Sequence, residues 1–553
     1  HKPLPYLVPT PVSSGFFGNT DVIVPFDGNG KVISNLCYEA EKMTQPVGLF
    51  ESVESSTIQN VTLRNVRIVA KGSEDGADYY PVGALAGVAQ NSSLENITVA
   101  EVNIVAPMAG GLVGYSYNST IRMATVNESV SVSNEQNISA GSAGSKVKTL
   151  DVPYNEVAYN VFLGGLVGLA VRTNDGDNAK YPSVENVFDV RVDVHDYASG
   201  HNSALGGVIG LLSASAESMR NVHVVTKRKA DETIPTKIWG GSAMGGLVGY
   251  VTVNYIYSSP VVGNLSFSNC SFDGEIGGAQ ALVSAGTVGN IALGGLIGRS
   301  NVITQMNMTI DGFAANLVVD ESLKVPGEYD YYVGGVLGYG SKCGSGSSAN
   351  TDFVSIVNSS TKGSISVYAS GTETPNVHVK AFMGGIVGLA CLSYDGNGLR
   401  NDASSMVITS NIRTAENAPS DGNGRAVLDS VFVGGIAGSV DVNSSVELVL
   451  SNLTFDGKIV VNDSLNETRI GGILGVYPEA TGGKAVSFDW VKADRSIGNL
   501  IAYNANAIDK PATIAKRAVD VGGLCGNCRH VASVGYSSVK GKVSVTGVDA
   551  GDY

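Results

Sequence analysis

The chain has 553 residues, among them 70 glycines, with abundant branched aliphatics and a formal net charge of −14. That length exceeds one simple globular core, so several domains or a repeat array is expected, and the aliphatic content excludes a disordered glycine-rich linker. The acidic balance argues against nucleic acid or an anionic membrane as the main partner, and no apolar run reaches the roughly 18–20 residues of a membrane-spanning helix.

The opening stretch HKPLPYLVPTPV is proline-rich and begins at His1 rather than Met, which reads as an extended arm left after removal of a secretory signal peptide. Residues 1–45 are read as an arm and cap, and 46–553 as a repeat region. DGNG at 27–30, 395–398 and 421–424, and NDGDN at 174–178, carry ordinary turn chemistry. They lack the twelve-residue loop with a terminal Glu that a calcium site of the common type requires.

From Gly48 onward one motif recurs, as in VFLGGLVGLA (161–170), SAMGGLVGYVT (242–252), IALGGLIGRS (291–300), YYVGGVLGYG (331–340), AFMGGIVGLA (381–390) and VFVGGIAGSV (431–440). Aligned on the second position of the glycine pair, the copies fall at Gly48, Ala84, Gly111, Gly165, Gly207, Gly246, Gly295, Gly335, Gly385, Gly435, Gly472 and Gly523. Twelve copies at spacings of 27 to 54 residues outrank any local motif in deciding the fold. Between copies lies a second signature: TIQNVTLRNVRIV (57–69), SLENITVAEVNIV (93–105), SVENVFDVRVDV (183–194) and LVLSNLTFDGKIVV (448–461). Each reads as two short alternating strands split by a turn. Three strands and no helix per repeat predict an all-β fold, a parallel β-solenoid of about twelve coils with long loop insertions. The insertion at 128–160 is a possible separate lobe, and spacings near 50 could hide an unmarked coil. A propeller would need four strands per blade at a steadier length. At about 4.8 Å per coil the rod would be roughly 60 Å long.

Read as one strand, the motif sends Met244, Gly246, Val248 and Tyr250 to one side and Gly245, Leu247 and Gly249 to the other. Both sides are apolar, which suits a sheet covered on both faces. One face would line the coil interior, and the other would be capped by insertions or by another chain. The glycines would then give clearance for a covering layer; a tight turn with positive φ is the alternative.

In the second signature the aliphatics alternate with Asn and Thr, so Asn60, Thr62, Asn96, Thr98, Asn452 and Thr454 should face solvent. Many of these asparagines open N-x-S/T sequons, of which there are fourteen: Asn60, Asn91, Asn96, Asn118, Asn127, Asn137, Asn264, Asn269, Asn307, Asn358, Asn443, Asn452, Asn462 and Asn466. In a secreted chain these are acceptors for N-linked glycans. The rival reading is an inward asparagine ladder whose amides bond from coil to coil.

Six cysteines are few but even in number. Cys343 and Cys391 follow successive glycine motifs and should lie one coil apart, near disulfide distance; Cys525 and Cys528 in CGNC suit a local disulfide better than a redox or zinc half-site. Cys37 and Cys270 stay unassigned. His195 and His201 show no metal-ligand pattern, and no nucleophile, base and acid assemble from the sequence, so no catalytic residue, metal or cofactor is expected.

The G-G-[LIV]-[VIL]-G core followed by S-x-x-N resembles the GLUG repeat of secreted and surface-attached proteins, over about residues 46–550. The resemblance implies an extracellular β-solenoid with a surface or adhesive role and supplies no catalytic residues. Three function classes follow: a structural glycoprotein that self-assembles into a filament, appendage or coat; a surface adhesin or glycan-binding protein; and, by fold analogy alone, a polysaccharide-active enzyme.

Overall fold

The computed structural model describes residues 21–546 apart from connections between strands, the longest being 71–79, 135–160, 173–182, 227–236, 253–262, 341–352, 414–426 and 505–517. The described residues contain strands and no helix. Every strand pairing is parallel except one short hairpin at 283–288. The chain is therefore the expected all-β parallel solenoid.

One coil shows how the residues dictate the path. An inbound strand, Ala243–Gly245, ends at a two-residue bend, Gly246–Leu247. An outbound strand follows, Val248–Thr252, and then a long strand in two halves, Gly263–Ser268 and Ser271–Gly277. Stacked coils give an inbound face of 11 strands, an outbound face of 13, and a long face running from Phe26–Ala40 to Ser538–Thr546. The two halves of a broken long strand pair with the same neighbouring coils, while Phe26–Ala40 and Ser538–Thr546 each have one neighbour. The long face is thus an open ladder, not a closed barrel.

Two features differ from the sequence reading. The glycine motif is not one strand but two, because its second glycine and the following Leu turn the chain. The twelve motifs also give thirteen outbound strands. Residues 21–22 and 26–40, assigned from sequence to the arm and cap, supply a first rung without a glycine pair. Gly48 registers with Gly83 and Gly110, the first glycines of their pairs, because its copy is one residue shorter. No unmarked coil lies in the wide spacings: outbound strands of successive motifs pair directly throughout.

The glycines do provide clearance, but what approaches is the chain's own backbone. A Cβ on Gly245 would sit 1.8 Å from the Val248 carbonyl oxygen across the bend; on Gly246, 2.0 Å from the Gly295 oxygen of the next coil; on Gly249, 2.5 Å from the Leu205 nitrogen of the preceding inbound strand. None of the three has positive φ. The residue after the pair, such as Leu166, Leu247, Leu296 or Val336, is fully buried and plugs the core at the bend. Complete burial of such a side chain is worth about 1.5–3 kcal/mol.

On the long face, aliphatics stack in columns inside the coil. One runs from Tyr38 through Ile68, Ile104, Val132 and Val194, then through Ile365, Ile459 and Ile501 to Val543. A second, smaller apolar cluster of Ala292, Tyr332 and Leu389, with Tyr339 and Phe382 against it, is separate from this core. Phe382 continues it as a stack between Tyr332 and Phe432, with centroids 5.0 and 4.7 Å apart. The expected second apolar face of the motif therefore exists, and it is buried within a single chain.

Candidate functional site

The break in the long strand falls on a residue with left-handed backbone. It is Asn at 60, 96, 186, 221, 269, 358, 401 and 452, all with φ between 50° and 56°. Asn tolerates this region better than other side chains, which explains the turn inside the signature. The next residue points inward and the Asn points outward, so apolar and polar residues alternate as expected.

These outward amides bond along the axis. Asn96 Nδ2 donates to Asn60 Oδ1 (2.7 Å), and Asn60 Nδ2 to Asp27 Oδ1 (3.0 Å). Asn269 donates to Asn221 (2.7 Å) and Asn221 to Asn186 (2.8 Å). Asn401 donates to Asn358 (3.2 Å) and Asn358 to Asp311 (2.8 Å). Two runs thus end on a carboxylate that only accepts. At Asp27 the Asn60 amide is the main cause holding the carboxyl below its usual range, with the Asn29 N–H and Gln59 adding to it. The coil-to-coil amide ladder therefore exists, but on the outside of the coil. The DGNG turn at 27–30 is its first step, with Asn29 and Gly30 both left-handed.

The sequons divide by location. Asn60, Asn96, Asn269, Asn358 and Asn452 occupy ladder positions. Asn91, Asn264 and Asn307 are exposed and outside the ladder, Asn462 is half-buried, and Asn118 is buried at 7 % exposure, leaving no room for a sugar. The side chains of Asn127, Asn137, Asn443 and Asn466 lie outside the described residues.

Cys525 and Cys528 form the local disulfide, with Cα atoms 6.1 Å apart. Cys391 is also disulfide-bonded; its expected partner, Cys343, lies outside the described residues. Cys37 and Cys270 are free thiols, and burial pushes the Cys270 thiol up to about 12, so it is an inert core group. His195 lies beside Asp193 (3.5 Å) and Tyr197, while His201 is outside the described residues. Among the described residues no group of three or more His, Cys, Asp or Glu is placed to hold a metal, and no helix could cross a membrane.

Two features went unseen in the sequence. Asp402 faces the core at 1 % exposure, where the adjoining coils carry Ser359 and Leu453. Its Oδ1 accepts from the Ser359 N–H (2.8 Å) and its Oδ2 from the Arg400 N–H (3.1 Å); desolvation nonetheless holds its pKa well above the carboxylate range. The second is the last rung. There the ladder position passes from Asn to Trp490 and Tyr536, also left-handed and stacked 4.6 Å apart. This rung is the last of the described residues, and its inward side chains are partly exposed: Val534 at 56 %, Val543 at 40 % and Val545 at 43 %. Their partners one coil earlier, Phe488, Ile501 and Tyr503, are 0–1 % exposed. No family model, curated protein or solved structure matches this chain.

Proposed function

We propose that this chain is a structural extracellular glycoprotein, a subunit of a cell-surface filament, appendage or coat. The observation that carries the reading is the continuous parallel stack along one axis, with its amide ladder on the outside. A rod of thirteen identically directed rungs, with amides stacked along its outside, suits a load-bearing element. The resemblance to GLUG repeats and the sequons support secretion and glycosylation; Asn91, Asn264 and Asn307 are the acceptors best exposed for it.

An adhesin or glycan-binding role has one observation in its favour. A groove of about 440 Å³ crosses the long face, floored by Ser271, Ala314, Ser360, Ala403 and Thr454. Electron microscopy and sedimentation of the full chain test the first reading. Concentration-dependent rods or sheets support it, and a stable monomer at micromolar concentration with glycan-array binding replaces it with the second.

A further inference from the structure

At the end of the strand Val184–Asp196 three reactive side chains share the outer side of the coil. Val192, Val194 and Asp196 point inward and are buried; Asp193, His195 and Tyr197 alternate with them and point outward. His195 Nε2 lies 3.5 Å from Asp193 Oδ1, which also accepts the Lys237 N–H of the next rung (2.8 Å). The carboxylate beside Nε2 selects the tautomer with its proton there, so the Tyr197 hydroxyl donates to His195 Nδ1. The two rings meet edge to face, with centroids 4.8 Å apart. Of the three groups only the phenol stands in solvent: Tyr197 is 57 % exposed, while the side chains of His195 and Asp193 are 14 % and 13 % exposed.

We infer that Tyr197 is a site of oxidative coupling, where a phenol loses an electron and a proton together and joins a second phenol. The oxidant required is of the peroxidase class, with hydrogen peroxide. As an electron leaves the ring, the phenolic proton passes to His195 Nδ1, and Asp193 holds the imidazolium so formed. Two such radicals form a carbon–carbon bond between ortho positions and tautomerise back to phenols. Each pair loses two hydrogens in all, which reduce one hydrogen peroxide to two waters.

The surroundings suit this ring. Burial, helped by Lys237, outweighs the pull of Asp193 and holds His195 below the usual imidazole range, so at neutral pH it is uncharged and able to accept. The charged and titratable groups facing it are Asp193 and Tyr197 on its own segment and Lys237 on the next rung; the preceding rung offers Ser133. The nearby indole is a poorer electron donor. Trp239, in register with His195, lies under the Lys237 ammonium, 4.5 Å from its ring, and a cation there opposes electron loss.

Coupling to a free phenol needs no assembly, so its test stands apart from the filament reading. The full chain is exposed to a photo-oxidised ruthenium trisbipyridyl complex with excess N-acetyltyrosinamide, and adducts are timed by peptide mass spectrometry. Tyr536 serves as the internal reference: it is 77 % exposed and stacks on Trp490 instead of bonding an imidazole. Tyr197 should couple at least about tenfold faster than Tyr536. His195→Ala should remove that advantage, and imidazole added to the buffer should restore part of it. In the parent chain the advantage should vanish as pH falls through the His195 value, below the ordinary imidazole range, because Nδ1 then carries a proton. A Tyr197 rate equal to that of Tyr536, or one that His195→Ala leaves unchanged, overturns the assignment. A rate ratio that stays constant across that pH range overturns it without any substitution.

Discussion

The glycine bend makes a demanding prediction at Gly245. In Gly245→Ala the new methyl would lie 1.8 Å from the Val248 carbonyl oxygen, 2.6 Å from its carbon and 2.8 Å from the Leu296 oxygen. All three are backbone atoms, so no rotamer change relieves the clash. The Leu296 oxygen already accepts from the Leu247 N–H (3.1 Å) and the Val248 N–H (2.9 Å), so opening the bend strains the joint between two coils. Overpacking costs about 1–3 kcal/mol, and two weakened hydrogen bonds add about 0.5–1.5 kcal/mol each. The loss of unfolded-state freedom on replacing Gly returns only about 0.4–1 kcal/mol. The net expectation is a loss of about 1–5 kcal/mol, centred on coils carrying 243–252 and 291–301. Repeat arrays need not unfold in one step, so hydrogen exchange by mass spectrometry should accompany the melt. A melt and local protection both equal to the parent's would refute the claim that backbone contact requires these glycines.

Three further outcomes follow. Gly312→Asn, at a left-handed ladder position with nothing nearer than 3.9 Å to its would-be Cβ, should leave stability unchanged or raise it by about 0.5–1 kcal/mol, read by thermal melting. Asp402 binds its proton more tightly folded than unfolded, so its contribution is present at acid pH and is lost as pH rises through the folded value; Asp402→Asn should flatten the fall in stability from about pH 4 upward, measured as melting temperature against pH. Expressed through a eukaryotic secretory pathway, the chain should carry glycans at Asn91, Asn264 or Asn307 and none at Asn118, which glycopeptide mapping would check.

The solenoid was legible because the repeat imposes the same strand pattern at every coil, and burial follows that pattern. The bend entered only as a tight turn with positive φ, which the structure does not show: Gly-Leu turns the chain without Pro, Asn or Asp, and strands on either side hide it. The triplet in Asn60-Val61-Thr62 says two things at once, since a sequon and a left-handed ladder turn share the same letters. Asp402 could have been seen, because Asn401-Asp402 breaks the Asn-apolar pairing kept at Asn60-Val61 and Asn452-Leu453.

The ladder also governs how the rod would answer a pull. Its inter-coil hydrogen bonds lie along the axis, so tension applied at the two ends peels one coil at a time instead of shearing a whole sheet. Gly48 to Gly523 spans 523 − 48 = 475 residues in eleven steps, about 43 residues per coil. Each coil occupies about 4.8 Å of axis but releases on the order of 100 Å of chain when it opens. A rod of this kind would lengthen many-fold in small, repeated steps before any covalent bond bears load, and would dissipate work at every step.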